Sequence, residues 1–150
     1  MAKLPREIFR VNPVDDDENA AIGIDLPMVK DSGAPFPQTF LTIDAAAANL
    51  KNLILTRKGE RPFQPWFGTD IYDFLFDNNI PEMLLKMETD INEAIAFWLP
   101  YLDIKSLDVR VADISHGFSD NFNGVQIQID FALKGNRFSE KSIVVVIGAE

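Results

Sequence analysis

Four carboxylates, Glu60, Asp70, Asp73 and Asp77, surround a proline-containing loop that carries Phe63, Trp66 and Phe67. Acidic pairs beside aromatic rings are what glycoside hydrolysis uses. The rings stack on sugar, one carboxyl protonates the leaving oxygen, and the other serves as base or nucleophile. Retaining enzymes hold the two carboxyls about 5–5.5 Å apart and inverting ones about 6.5–9.5 Å. Asp70 and Asp73, three residues apart on a short helix, could meet the first spacing. The structural reading is the stronger one. Asp70 falls in a first helical turn, where a carboxylate complements the dipole, and Asp73 belongs to an exposed face. A cell-wall glycosidase using Asp70 and Asp73 therefore stands as the alternative.

Other chemistry finds less support. His116 is the single histidine and lies between strands, flanked by Ser115 with Asp120 nearby. Residues this close in sequence seldom supply the geometry of a Ser-His-Asp triad. No glycine-rich phosphate loop, HExxH pair or EF-hand spacing occurs, and the acidic run from Asp15 to Asp25 lacks the calcium-loop ligand order. With no cysteine there is no disulfide, thiolate nucleophile or thiolate metal site. The expectation is no catalytic residue, no metal and no cofactor. Arg57, Lys58 and Arg61 form a cationic cluster with two readings: complementing a helix end, or offering Arg61 to a partner's carboxylate, which arginine can grip with two bonds.

The bulk numbers bound the class. A chain of 150 residues, 47% hydrophobic and 11% aromatic, can bury one sizeable core. A net charge of −9 argues against binding nucleic acid or an anionic membrane surface, which needs clustered cations. The first residues lack the apolar stretch of a signal peptide, and no window approaches the ~20 apolar residues of a membrane span. Nothing in the chain asks for export.

These residues must be held by elements that the patterning announces. Residues 1–38 hold the acidic block Asp15-Asp16-Asp17-Glu18 and five prolines, which break any long helix. They read as an extended N-terminal arm with two short apolar runs, Ile8 to Val11 and Ala21 to Leu26, suited to edge strands. The acidic block reads as a solvated turn. The main domain, residues 39–150, begins with a helix from Asp44, as N-cap, to Lys58. Ala47, Leu50, Leu53 and Ile54 form its apolar stripe, and Gly59 caps it in a left-handed conformation. A short helix restarts after Thr69. A third begins at Pro81, lines one face with Leu84, Met87, Ile91, Ile95 and Trp98, pairs Glu82 with Lys86, and stops at Pro100. The last third switches to period two. Leu107, Val109 and Val111 alternate with polar residues, as do Val125, Ile127, Ile129 and Phe131, and Gly135-Asn136 marks a turn before Ile143 to Ile147. The fold class is α+β, helices packed on a C-terminal antiparallel β-meander.

The run from Thr56 to Phe76 carries a resemblance. Thr56, Arg57, Gly59, Arg61, Pro62 and Phe63, then Pro65, Phe67 and Gly68, then Leu75 and Phe76 occur in the order seen in the small wedge proteins of contractile-phage baseplates. The chain resembles that family over about residues 40–147. Members are also found in type VI secretion baseplates and other contractile injection machines, and relatives have at times been labelled lysozyme-like. The resemblance implies a structural virion protein of the tail baseplate, assembled in the host cytoplasm. Six copies surround the tail tube, contact the larger wedge subunits and initiate the sheath. One departure matters. Where the family ends its long helix with an aromatic residue and Glu-Pro-Arg, this chain has Trp98-Leu99-Pro100-Tyr101, so the contact made there is either apolar or lost.

The interface residues expected on these grounds are Arg57, Arg61, Trp66, Trp98, Pro100, Tyr101 and the strand Ile143, Val144, Val145, Val146 and Ile147. Phe63 and Phe67 should be buried under the loop and Trp66 exposed to a partner. The strand has two readings: a central strand covered on both faces, or an edge that adds a strand of the sheath. An adaptor sharing the fold but serving an unrelated protein is a third possibility for the whole chain.

Overall fold

The computed structural model describes residues 15, 17, 19–28, 36–75, 80–111, 123–134 and 140–149. The Ile8–Val11 run, His116 with its neighbours, Asp77 and the Gly135-Asn136 turn lie outside them. The elements run β1 (Gly23–Ile24), β2 (Gln38–Thr39), α1 (Thr42–Leu55), α2 (Ile71–Phe74), α3 (Ile80–Trp98), β3 (Leu102–Val111), β4 (Asn123–Leu133) and β5 (Glu140–Ala149). The expected α+β meander is present: β3, β4 and β5 pair antiparallel in chain order.

Strand alternation decides where the core sits. Val125, Ile127, Ile129 and Phe131 of β4 are buried, and so are Ile143, Val145 and Ile147 of β5. Opposed in register, Val125 meets Ile147, Ile127 meets Val145 and Ile129 meets Ile143, the cross-strand pairs of β-branched residues that stabilise a sheet. Helices cover this face, α3 lying over β3 and α1 over β5. Leu50, Leu53 and Ile54 of α1 and Met87, Ile91 and Ile95 of α3 supply the facing layer, with Met83 and Ala94 beside them. The opposite sheet face carries Gln126, Gln128, Asp130, Val144 and Val146.

Helix α1 departs from expectation at both ends. Its N-cap position is Leu41, with no capping bond from that residue's own side chain, and Asp44 sits in the first turn, paired with Lys141 of β5. The missing cap comes from far away in sequence. The Asp15 carboxylate accepts from the Thr42 backbone N–H at 2.9 Å and from its hydroxyl at 2.6 Å. Asp15 is only 4% exposed, so this member of the acidic block is a buried helix cap rather than a solvated turn. The segment that carries it runs along α1: β1 pairs with β2, and the Lys51 ammonium donates to the Leu26 carbonyl at 2.9 Å. The four consecutive alanines of α1 are all buried.

The C-terminus of α1 comes at Leu55, ahead of the expected Lys58. Thr56 is extended because its carbonyl accepts from Thr69 N–H at 2.9 Å, and Arg57 bridges Thr69 in a strand-like contact. Gly59 does have positive φ, +89°, but it serves a turn beyond the helix, not the cap.

Candidate protein interface

The loop between α1 and α2 is fixed from inside. Thr69, fully buried, holds Thr56 through its N–H, and its hydroxyl donates to the Ile54 carbonyl at 3.0 Å. Gly68, at φ +115°, allows that approach: a Cβ there would be driven into the Thr56 carbonyl. Gly59 N–H donates to the Pro65 carbonyl at 2.7 Å and closes the loop on itself.

Charge fastens the same loop to α2 and α3. The Lys58 ammonium lies 2.7 Å from an oxygen of Asp70 and 2.6 Å from one of Asp90, and the second oxygen of Asp90 accepts from Asp70 N–H at 2.7 Å. Burial alone would lower the Lys58 pKa, but hydrogen bonds and charge from Asp70 and Asp90 outweigh it and hold the ammonium above its ordinary value. Arg57 pairs with Asp73. Glu60 and Asp73 share an open cleft of about 820 Å³ with Leu55, Arg57, Lys58, Gly59 and Tyr72. The Tyr72 hydroxyl there is raised by burial and by the charge of Glu60. Asp70 does not line that cleft. A glycosidase's general acid needs a carboxyl in apolar surroundings, whereas Asp70 and Asp73 are partly exposed and each is bound by a cation.

On the other side of the loop an aromatic ladder emerges. Phe67 is buried and meets Trp98 edge-on at 5.2 Å, and Trp98 meets Phe97 at 5.0 Å. The Arg61 guanidinium sits 4.3 Å from the Phe67 ring centre, a favourable cation–π contact. Its other bond is a 3.4 Å contact to Gln64, so among the described residues it has no carboxylate partner. Trp66 is 80% exposed, as expected. Phe63, expected to be buried, is instead fully exposed at 102%. The reason is its backbone: φ of +67° turns the chain at Phe63, and Phe67 takes the inward position. A non-glycine residue in that region is a strained feature of the sort found where chains bind.

Sequence reading missed Phe63 and Phe97 as surface aromatics. For Phe97 the signal was available, because it falls off the apolar stripe that ends with Trp98. The remaining expected residues sit apart from the ladder's tip. Pro100 is exposed and its carbonyl accepts from the Lys134 ammonium at 2.6 Å, while the Tyr101 hydroxyl takes a 3.4 Å contact from Asn49. On β5, Ile143, Val145 and Ile147 point into the core, and Val144 (51%) and Val146 (38%) point outward. The two-sided burial weighed for this strand does not occur.

The two edges of the sheet are unlike. Among the described residues β5 pairs with β4 alone, and β3 likewise. The β3 edge carries Asp103, Lys105, Asp108 and Arg110 in two ion pairs and a register shift between Ile104 and Ser106. Charge and bulges are how proteins blunt an edge. From Ser142 to Ala149, β5 carries neither.

A family model described as baseplate wedge protein gp25 matches residues 44–137. The baseplate wedge protein gp25 of Enterobacteria phage T4 is 39% identical over 61 residues, which is 41% of this chain and 46% of that protein; the match thus spans about half the length of the relative. Solved structures of low identity share the fold. A Geobacter sulfurreducens protein provisionally called a tail lysozyme matches with a TM-score of 0.58 at 21% identity, over 70% of this chain and 88% of that one. A chain of the anti-feeding prophage baseplate matches at 0.52 and 19% identity, over 82% and 81%. One from the type VI secretion baseplate complex matches at 0.50 and 15%, over 68% and 88%. The lysozyme name is that neighbour's own, and the likeness to it is one of fold. The order-specific loop, the helix pair and the three-strand meander together agree with the model match, and the chain belongs to the baseplate wedge protein gp25 family.

Proposed function

We propose that this chain is a wedge subunit that binds the larger baseplate subunits through its aromatic loop and templates the first sheath ring by strand addition at β5. The observation that carries the second half is the contrast between the sheet edges. β3 is charged and bulged, whereas β5 from Ser142 onward is uncharged and largely β-branched and pairs on one side only among the described residues, the state suited to β-augmentation. The first half is supported by exposed Phe63, Trp66 and Phe97 around Arg61, since aromatic residues and arginine dominate binding hot spots. Trp98, packed on Phe67, belongs to this contact, and Pro100 with exposed Tyr101 adds an apolar patch nearby, where Leu99 and Tyr101 stand in place of the family's Glu and Arg. Arg57 supports it indirectly by fixing the loop through Asp73. Six copies about the tail tube fit this reading.

The test uses the alternation of N–H groups along a strand. Of Val144→Pro and Val145→Pro, one deletes a donor to β4 and the other a donor to the open edge. The first should unfold the sheet. The second should fold, enter wedges and fail to start sheath. Normal sheath growth on the folded variant would overturn the strand-addition reading.

A further inference from the structure

We infer that free copies of this chain pair through β5, antiparallel about a twofold axis at Val145, so that the open edge is covered by a second copy until a partner displaces it. The proposal rests on the same free edge as the sheath reading above, but its evidence is separate: the strand is a palindrome. Ile143-Val144-Val145-Val146-Ile147 reads identically in both directions, flanked by the small residues Ser142 and Gly148. Placed antiparallel about Val145, Ile143 faces Ile147, Val144 faces Val146, Val145 faces its own copy, and Ser142 faces Gly148. Core-facing residues then stay on the core face, and exposed Val144 and Val146 cover one another. Each pair is β-branched, the combination that cross-strand packing favours, and the two meanders become one six-stranded sheet.

Other pairings of the same edge are worse. A one-residue slip sets inward side chains against outward ones. Parallel in-register pairing stacks Lys141 on Lys141, like charges directly opposed. The twofold register sets Lys141 against Ala149 instead. The β3 edge is excluded by its charges and bulge.

Charge and area set the strength. Two copies of net charge −9 repel, and the uncharged stretch of β5 is where they can approach. Added salt screens the repulsion and should strengthen the dimer. The contact is a backbone ladder plus Val144 and Val146, a strip narrower than the ~800 Å² per partner of standard stable complexes. The pair is therefore weak and exchangeable, as a displaceable cover has to be.

Sedimentation equilibrium of the full chain tests this. A monomer–dimer equilibrium that tightens with sodium chloride is expected. A chain carrying Val144→Lys and Val146→Lys sets lysine against lysine across the axis, and one carrying Val144→Glu and Val146→Glu sets glutamate against glutamate. Both positions are exposed, so circular dichroism should be unchanged. Each variant alone should dimerise at least about tenfold more weakly than the parent, and an equimolar mixture should recover the dimer as Lys–Glu pairs. A parent that is monomeric at every concentration and salt, a lysine variant that dimerises as well as the parent, or a mixture that stays monomeric would each overturn the proposal. Sheath growth is scored separately. A monomeric chain that still starts sheath removes self-pairing and leaves the sheath reading standing, while a twofold dimer that starts none does the reverse.

Discussion

Replacing Gly68 by alanine should damage this protein more than the same change at Gly59, although both glycines have positive φ. At Gly59 (φ +89°) a Cβ meets nothing within 4 Å, so Gly59→Ala carries only the conformational cost of a left-handed residue, roughly 1–2 kcal/mol. At Gly68 (φ +115°) the new Cβ would be forced into the Thr56 carbonyl oxygen, with the Thr56 carbonyl carbon 2.9 Å away and that of Arg57 3.1 Å away. These are backbone atoms and cannot swing aside as a side-chain tip would. The loop must separate from Thr56, stretching the bond from Thr69 N–H. Conformational strain of roughly 1–3 kcal/mol then adds to about 1 kcal/mol for the bond. The buried Thr69 hydroxyl is also pulled from Ile54, which raises the total to roughly 3–5 kcal/mol. At roughly 2–4 °C per kcal/mol for a chain of this size, the midpoint falls by roughly 6–20 °C for Gly68→Ala and 2–8 °C for Gly59→Ala. Urea and thermal denaturation followed by tryptophan fluorescence measure both, because Trp98 rests on Phe67 beside the loop. If Gly68→Ala is no less stable than Gly59→Ala, the close approach of Gly68 to Thr56 is not what holds the loop.

Phe67→Ala should cost roughly 3–5 kcal/mol in urea melts, whereas Trp66→Ala should change stability by less than about 1 kcal/mol and weaken co-purification with the larger wedge subunits; the opposite pattern would exchange their roles. Asp15→Ala removes the cap of α1 and should cost roughly 0.5–2 kcal/mol, with faster amide exchange at Thr42 as its local signature. Lys58→Met leaves Asp70 and Asp90 without their cation and should destabilise the fold at neutral pH. The folded-state pKa of Lys58 lies above its unfolded value, so its contribution is complete below the ordinary lysine range near ~10.4 and is lost as pH rises through the folded value. The stability gap between parent and Lys58→Met should therefore close in alkali.

What the sequence determined by itself was written in periodicity and in order. Val125, Ile127, Ile129 and Phe131 alternate because only one face of β4 is covered, and Met87, Ile91 and Ile95 recur at helical spacing because one side of α3 faces the sheet. Those repeats are local consequences of burial, so they survive in one dimension. That residues 56–68 form a tight loop was also legible, since prolines restrict φ and glycines permit the positive φ that such a loop uses. The tertiary structure decided what depends on distant partners. Nothing adjacent to Asp15 shows that it caps a helix 27 residues on, and the continuous apolar run of β5 reads alike for a central strand and an edge. Local rules end α1 at Gly59, but Thr69 reaches back to Thr56 and ends it earlier. Phe63 and Phe67 are the same residue type in one loop, and only the turn at Phe63 sends one outward and the other into the core. Burial of one ring or the other depends on where the chain returns, which is a property of the folded loop and not of either residue.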